Sequence, residues 1–186
     1  MLGNFLRLVW IAQIVQFFKS YKLFAVKRSS VKGKGNFHFH SFAVSSKRIN
    51  RIVTDCLIEK YYEFGEIQPI IQAENAPVWI YGNNLICKRI IENLIVNALR
   101  YSDNYIEVSI NQKGVFTIKN STKSLDNIDV NSLFNKFYTA DKSRNKGSSG
   151  LGLYIVKELL KKIDGKIENV SYEGNILSIS IQFCVV

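Results

Sequence analysis

A two-layer α/β sandwich, a mixed sheet with helices on one face, is the fold class this sequence predicts. Three observations carry the prediction. Residues 84–101 (NLICKRIIENLIVNALRY) repeat apolar side chains at helical spacing with no Gly or Pro between them. Residues 177–183 alternate Leu177, Ile179, Ile181 and Phe183 with Ser178, Ser180 and Gln182, the pattern of a strand with one buried face. Residues 105–110 and 115–119 flank a short polar turn, 111–114 (NQKG), as an antiparallel hairpin does.

The remaining elements follow in order. Residues 48–64 place Ile52 and Cys56 at helical spacing, and Gly65 ends that helix. Residues 67–72 and 78–81 are short β-rich runs separated by Asn75 and Pro77. Gly82-Asn83-Asn84 supplies a turn and an N-cap for the helix that runs to Tyr101. Residues 120–129 read as a polar loop and 147–150 as a glycine-serine loop. Residues 151–163 form a last helix, with an i,i+4 pair between Glu158 and Lys162 and Gly165 as its C-cap.

Charge divides the chain at about residue 50. Ten of the 25 Lys and Arg lie before residue 52, where there is no Asp or Glu; the other 15 face the chain's 15 acidic residues, so the net charge of +10 belongs to the first 51 positions. Residues 1–50 thus form a basic, partly apolar N-terminal segment and linker, and 51–186 the folded domain. The apolar run 2–18 is interrupted by Arg7, Gln13 and Gln16, which makes it a poor transmembrane span. The cations that follow suit contact with an anionic membrane surface through residues 1–35. No nucleic-acid-binding motif accompanies the basic arm. Cys56, Cys87 and Cys184 have no CxxC spacing, which argues against a zinc site and a disulfide framework and for a reducing cytoplasm.

Chemistry concentrates in three places. On the helix 90–101, Asn93, Asn97, Arg100 and Tyr101 share one face, and two carboxamides within an apolar run need partners. An Asn oxygen can ligate Mg²⁺ alongside phosphate oxygens and water, and Arg100 can pair with phosphate, although both Asn could equally cap nearby backbone. Next, 146–154 (KGSSGLGLY) leads straight into a helix, so its glycines and free N–H groups suit an anion. It does not follow a strand as in a dinucleotide-binding unit, and the P-loop signature is absent. Between these lies 133–144 (LFNKFYTADKSR), where Phe134, Phe137 and Tyr138 sit at helical spacing ahead of Lys142, Arg144 and Lys146.

Taken in order, N-x-x-x-N-A-x-R-Y, F-x-x-F-Y-x-x-D-x-S-R and S-G-L-G-L-x-I-V-K resemble the catalytic domain of sensor histidine kinases, part of the gyrase, Hsp90, histidine-kinase and MutL ATPase superfamily. The resemblance covers residues 55–183. It implies the Bergerat-type ATP-binding fold, with ATP and Mg²⁺ as cofactors and a mobile lid over residues 134–150. Carried onto this chain, it makes Asn97 the Mg²⁺ ligand and turns Asn93 toward the phosphates. Arg100 faces a phosphate, and Tyr101 lines the nucleotide pocket. Arg144 and Lys142 are lid cations, while Phe137 and Tyr138 belong to the lid segment beside the nucleotide. Gly150, Leu151, Gly152 and Leu153 meet the phosphates. The implied partners are ATP, a response regulator and a phosphoacceptor-bearing kinase chain, with homodimerisation only where dimerisation helices are supplied.

The sequence departs from that family in two places. The family's D-x-G-x-G box, whose Asp reads the adenine amino group, is replaced by 118–124 (IKNSTKS), leaving Asn120 as the substitute acceptor. The family's phosphoacceptor His is also absent: His38 and His40 lack the acidic residue that follows it. Asn93 stands where hydrolysing superfamily members carry a Glu base, and an Asn cannot take a proton. The resulting expectation is an ATP-dependent protein histidine kinase module that donates phosphate to a His outside this chain. Its rival is a degenerate, non-catalytic kinase fold that binds partner proteins; a serine-kinase-type regulator of a sigma factor comes last.

Overall fold

In a computed structural model, the chain is described at residues 45–73, 77–123, 125, 128–139 and 149–186. Five strands make one mixed sheet in the order β2-β4-β5-β7-β6, where β2 is Ile70–Ala73, β4 Ile106–Ile110, β5 Val115–Ser121, β6 Lys166–Glu173 and β7 Ile176–Gln182. Strand β2 runs parallel to β4 and the other neighbours are antiparallel. The helices α1 (Ile49–Glu59), α2 (Asn84–Tyr101) and α3 (Gly152–Lys161) pack side by side, and α2 and α3 lie on the sheet. The expected α/β sandwich is therefore present.

The core follows from the period-2 pattern of the strands. Ile106, Val108, Ile110, Phe116, Ile118, Leu177, Ile179, Ile181 and Phe183 all turn to the helix side and meet Ile90, Ile91, Leu94, Ile95 and Ala98 of α2. Burying each such side chain contributes about 1.5–3 kcal/mol. The opposite face of the sheet is polar, and Thr117 and Ser180 bridge β5 and β7 there at 2.8 Å. On the same face Glu107 accepts from Lys119 Nζ at 2.9 Å and from the Tyr105 hydroxyl. Burial alone would push the Glu107 carboxyl up; these two donors outweigh it and hold the carboxyl below its usual range. The hydrogen bond to Glu107, with burial, pushes the Tyr105 phenol up to about 12.

Several sequence expectations change on inspection. The run around residue 80 forms β3 (Trp79–Gly82), which leaves the main sheet and pairs antiparallel with β1 (Ser45–Arg48) in a two-stranded sheet. Strand β6 did not stand out in the sequence, because an irregularity between Ile167 and Asn169 breaks the alternation that marks a strand. The helix expected at 48–64 is α1 followed by a 3₁₀ turn, Tyr61–Phe64. Glu158 pairs with Lys161 at 2.7 Å, one residue before the expected Lys162. The left-handed residue after α3 is Asp164 (φ 54°), while Gly165 donates its N–H to Leu160 O. A side chain at Gly165 would lie 2.8 Å from Leu160 Cδ2 and 2.9 Å from Gln182 O, so close approach is what requires glycine there. Asn83 caps α2 as expected, its Oδ1 accepting from the N–H groups of Leu85 and Ile86.

Candidate nucleotide-binding site

Helix α2 and the start of α3 enclose a cavity of about 290 Å³ together with the end of β5 and residues 133–139. Its size is that of a small-ligand cleft. Asn93, Asn97, Arg100 and Tyr101 all line it, as the 3.6-residue period of α2 requires. Tyr138, Gly150, Leu151, Gly152 and Leu153 stand across from them. Asn93 Nδ2 donates to Arg89 O at 2.6 Å, which leaves Asn93 Oδ1 toward the start of α3: a methyl group on Gly152 would lie 3.7 Å from it. The Asn97 amide has no hydrogen-bond partner among the described residues.

The first turn of α3 is chemically exposed. Leu151 occupies the N-cap with helical dihedrals and no side-chain cap, so the first N–H groups of α3 are left for another acceptor. The helix dipole adds a partial positive charge at that end. Arg89 and Arg100 are the only charged side chains in the described wall, and no carboxylate or imidazole is present in it. Val96, Leu125, Leu133, Ile155 and Leu177 supply the apolar surface. The cavity thus has a cationic, amide-rich strip beside an apolar slot, the division a nucleotide carries.

Gly150 lines the cavity and has a structural task as well. It adopts φ 64°, and a side chain there would fall 2.7 Å from Phe137 C and Tyr138 O. Its carbonyl accepts from the Phe137 N–H at 3.1 Å. The glycine therefore fastens the start of α3 to residues 137–138 by backbone contact. Phe137 itself stands outside the wall, with φ 64° and its ring 65% exposed beneath Lys136. Asn120 is likewise not in the wall. It is buried on β5 opposite Leu177, and its Nδ2 donates to Ser121 O at 3.3 Å. The residue that reaches the cavity from that strand end is Thr122. Thr122 N–H donates to Asn175 O at 2.8 Å, and the single Tyr172 hydroxyl is shared between Thr122 O and Asn175 Oδ1. Lys142 and Arg144 lie outside the described residues.

Sequence reasoning missed Arg89, Val96, Thr122, Leu125, Leu133, Thr139, Ser149, Ile155 and Leu177 in this wall. Arg89 was within reach, since it precedes Asn93 by four residues on the same helical face. Thr122 and Leu177 arrive by the register of β5 on β7, which local sequence does not reveal.

The sequence profile described as "Histidine kinase-, DNA gyrase B-, and HSP90-like ATPase" matches residues 82–184, more than half of the chain and every helix and strand that builds the cavity. The chain belongs to this ATPase family. Its described fold is the family's ATP-binding domain, of the kind carried by sensor histidine kinases. The sensor histidine kinase YcbM of Bacillus subtilis (strain 168) is 29% identical over 124 residues, 62% of this chain and 40% of that protein. The heme sensor protein HssS of Staphylococcus aureus (strain Newman) is 26% identical over 136 residues, 70% of this chain and 29% of that protein. The chain thus spans well under half the length of these two relatives. Among solved structures, the mycobacterial sensor histidine kinase MprB superposes with a TM-score of 0.65 at 19% identity, covering 77% of this chain and 98% of that one. The catalytic domain of histidine kinase ThkA gives 0.64 at 17%, covering 77% and 96%. At such identities these two structures speak for the fold alone.

Proposed function

We propose that this ATP-binding domain is a phosphoryl donor, holding Mg-ATP for transfer to a histidine on another polypeptide in a two-component relay. The observation that carries the reading is the uncapped N-terminus of α3 opening onto a cavity whose described wall holds two arginines and the carboxamides of Asn93 and Asn97. The base would rest in the apolar slot near Tyr101, Thr122, Leu125 and Leu177. The phosphates would run along Arg100, Asn97 and Asn93 toward the N–H groups of Gly152 and Leu153. Residues 137–139, fastened through Gly150, would cover them together with Lys142 and Arg144.

The residues fit a magnesium ion only as a shared ligand. Asn97 offers one neutral oxygen, and the described residues contain no cluster of three His, Cys, Asp or Glu side chains. An ion held by Asn97 would take its other ligands from phosphate and water, and would supply neutralisation of phosphate charge. What the chain's own groups would do is orient and neutralise: amide N–H groups and arginines toward phosphate oxygens, beside the half-buried Leu133 and Tyr138. Phosphoryl transfer needs positioning more than a protein nucleophile. Asn93 and Asn97 cannot take a proton, and the described wall adds neither carboxylate nor imidazole, which suits donation.

The acceptor histidine would belong to a partner kinase chain, and a response regulator would stand downstream. The free cysteines Cys56, Cys87 and Cys184 support a reducing, cytoplasmic setting. No helix among the described residues is long and apolar enough to cross a membrane; contact with a membrane surface is proposed for residues 1–35, which lie outside them. Titration of the chain with a fluorescent ATP analogue, with and without Mg²⁺, tests the reading beside Asn97→Ala. Saturable Mg-dependent binding, lost in the variant, is expected. Absence of binding at millimolar nucleotide in the unsubstituted chain would leave the partner-binding alternative standing.

A further inference from the structure

Arg89 lies in the cavity wall at the end away from Tyr101. Residues 89, 93, 97 and 100 form one stripe on α2, about 16 Å long at 1.5 Å per residue. The ends of that stripe are distinguishable. At the C-terminal end, Asp103 N–H donates to Ser121 O, which sets Tyr101 beside Thr122 and the apolar slot. At the other end the stripe meets the open first turn of α3, with Gly152 next to Asn93, and Arg89 stands one turn further out.

An exposed arginine on a helix usually needs no explanation beyond solvation or an i,i+4 ion pair. Here the i+4 residue is Asn93, whose amide is tied to the Arg89 backbone carbonyl and not to its side chain. The nearby acids are taken by the neighbouring cation: Lys88 pairs with Glu59 at 2.7 Å and Glu92 at 3.7 Å. No ion pair to the Arg89 guanidinium occurs among the described residues, so its fork of donors is available to the cavity.

We infer that Arg89 grips the terminal phosphate of the bound nucleotide and sets the preference for triphosphate over diphosphate. The inference rests on the nucleotide reading above. A nucleotide with its base in the slot by Tyr101 and its phosphates along Arg100, Asn97 and Asn93 reaches Arg89 last, and the terminal phosphate is the one group that a diphosphate lacks. A guanidinium can bind it through two parallel hydrogen bonds. After transfer the grip has nothing to hold, so the diphosphate leaves more readily than the triphosphate does.

Calorimetric titration of the full chain with ATP and with ADP, both with Mg²⁺, tests this against Arg89→Gln and Arg89→Lys. Arg89 is exposed, so neither substitution disturbs the core. Arg89→Gln is expected to weaken ATP about tenfold, the loss of one charge-assisted contact at a partly solvated site, and ADP less than about twofold. Arg89→Lys, which keeps the charge without the fork, falls between. Equal weakening of ATP and ADP, or no change in either, overturns the role of Arg89 while leaving the nucleotide site intact. If the unsubstituted chain binds neither nucleotide, the underlying reading fails and the role of Arg89 fails with it.

Discussion

Gly152→Ala separates nucleotide binding from folding. A methyl group at residue 152 meets nothing closer than Asn93 Oδ1 at 3.7 Å, an ordinary contact, and Gly152 is the first residue of α3. Alanine is therefore tolerated, and it relieves the conformational entropy that glycine carries in a helix, so the chain is expected to gain up to about 1 kcal/mol of stability. The same methyl occupies the gap between the first turn of α3 and Asn93. A phosphate oxygen that uses the Gly152 and Leu153 N–H groups must pass through that gap. Loss of one hydrogen bond to a charged group costs about 1.5–3 kcal/mol, which is roughly a tenfold to hundredfold loss of affinity. Gly150→Ala is the contrast within the same loop. Its φ of 64° and the 2.7 Å approach to Phe137 and Tyr138 mean that alanine there strains the backbone and loosens the covering segment, so melting temperature falls as well as affinity. Thermal melts beside ATP titrations read both quantities. A Gly152→Ala chain with unchanged ATP affinity would refute the placement of phosphate against α3.

Two further outcomes concern the scaffold. Asn50 is fully buried on α1, and its Oδ1 accepts from the buried Val78 N–H at 2.8 Å, so Asn50→Ala strands a backbone donor. A loss of about 2–4 kcal/mol is expected in urea unfolding, and a loss below about 0.5 kcal/mol would show that Val78 finds another acceptor. Glu107 is held below its usual value of 4.5, so the stability it contributes is fully present above that pH and disappears as pH falls through its folded value. Urea midpoints of the chain and of Glu107→Gln should therefore differ by a constant amount at pH 6–8 and draw together as pH falls below 4.5; a gap that does not narrow on acidification would contradict the Tyr105–Glu107–Lys119 network as its source.

What could be read in advance divides along the range of the interactions involved. Helix α2 and strand β7 show in the sequence because their periodicity is local and unbroken, and Asn93, Asn97, Arg100 and Tyr101 followed as one face. Strand β6 was hidden by its irregularity at Ile167–Asn169, and β1 by its polar composition, since its partner β3 lies some 30 residues away. The apolar end of the cavity depends on pairing: Asn120 is buried opposite Leu177, and Thr122, just past the end of β5, lines the wall beside Leu177. No periodicity rule contains that register. Gly150 shows the same limit. A glycine loop before a helix suggests anion binding, yet one of its glycines is required by the backbone of residues 137 and 138.

The polar groups of α2 fit the proposed donor role. Asn93 spends one of its two amide hydrogens on Arg89 O, and the neutral oxygen and second N–H that remain can orient a ligand and cannot accept a proton. Asn97 is equally incapable of acting as a base, and the described wall contains no acid to replace either one. Every charged or strongly polar group that remains is suited to holding an anion still: two arginines and the open turn of α3. In the donor role proposed above, such a site would hold a phosphorylated ligand and leave the nucleophile to come from elsewhere.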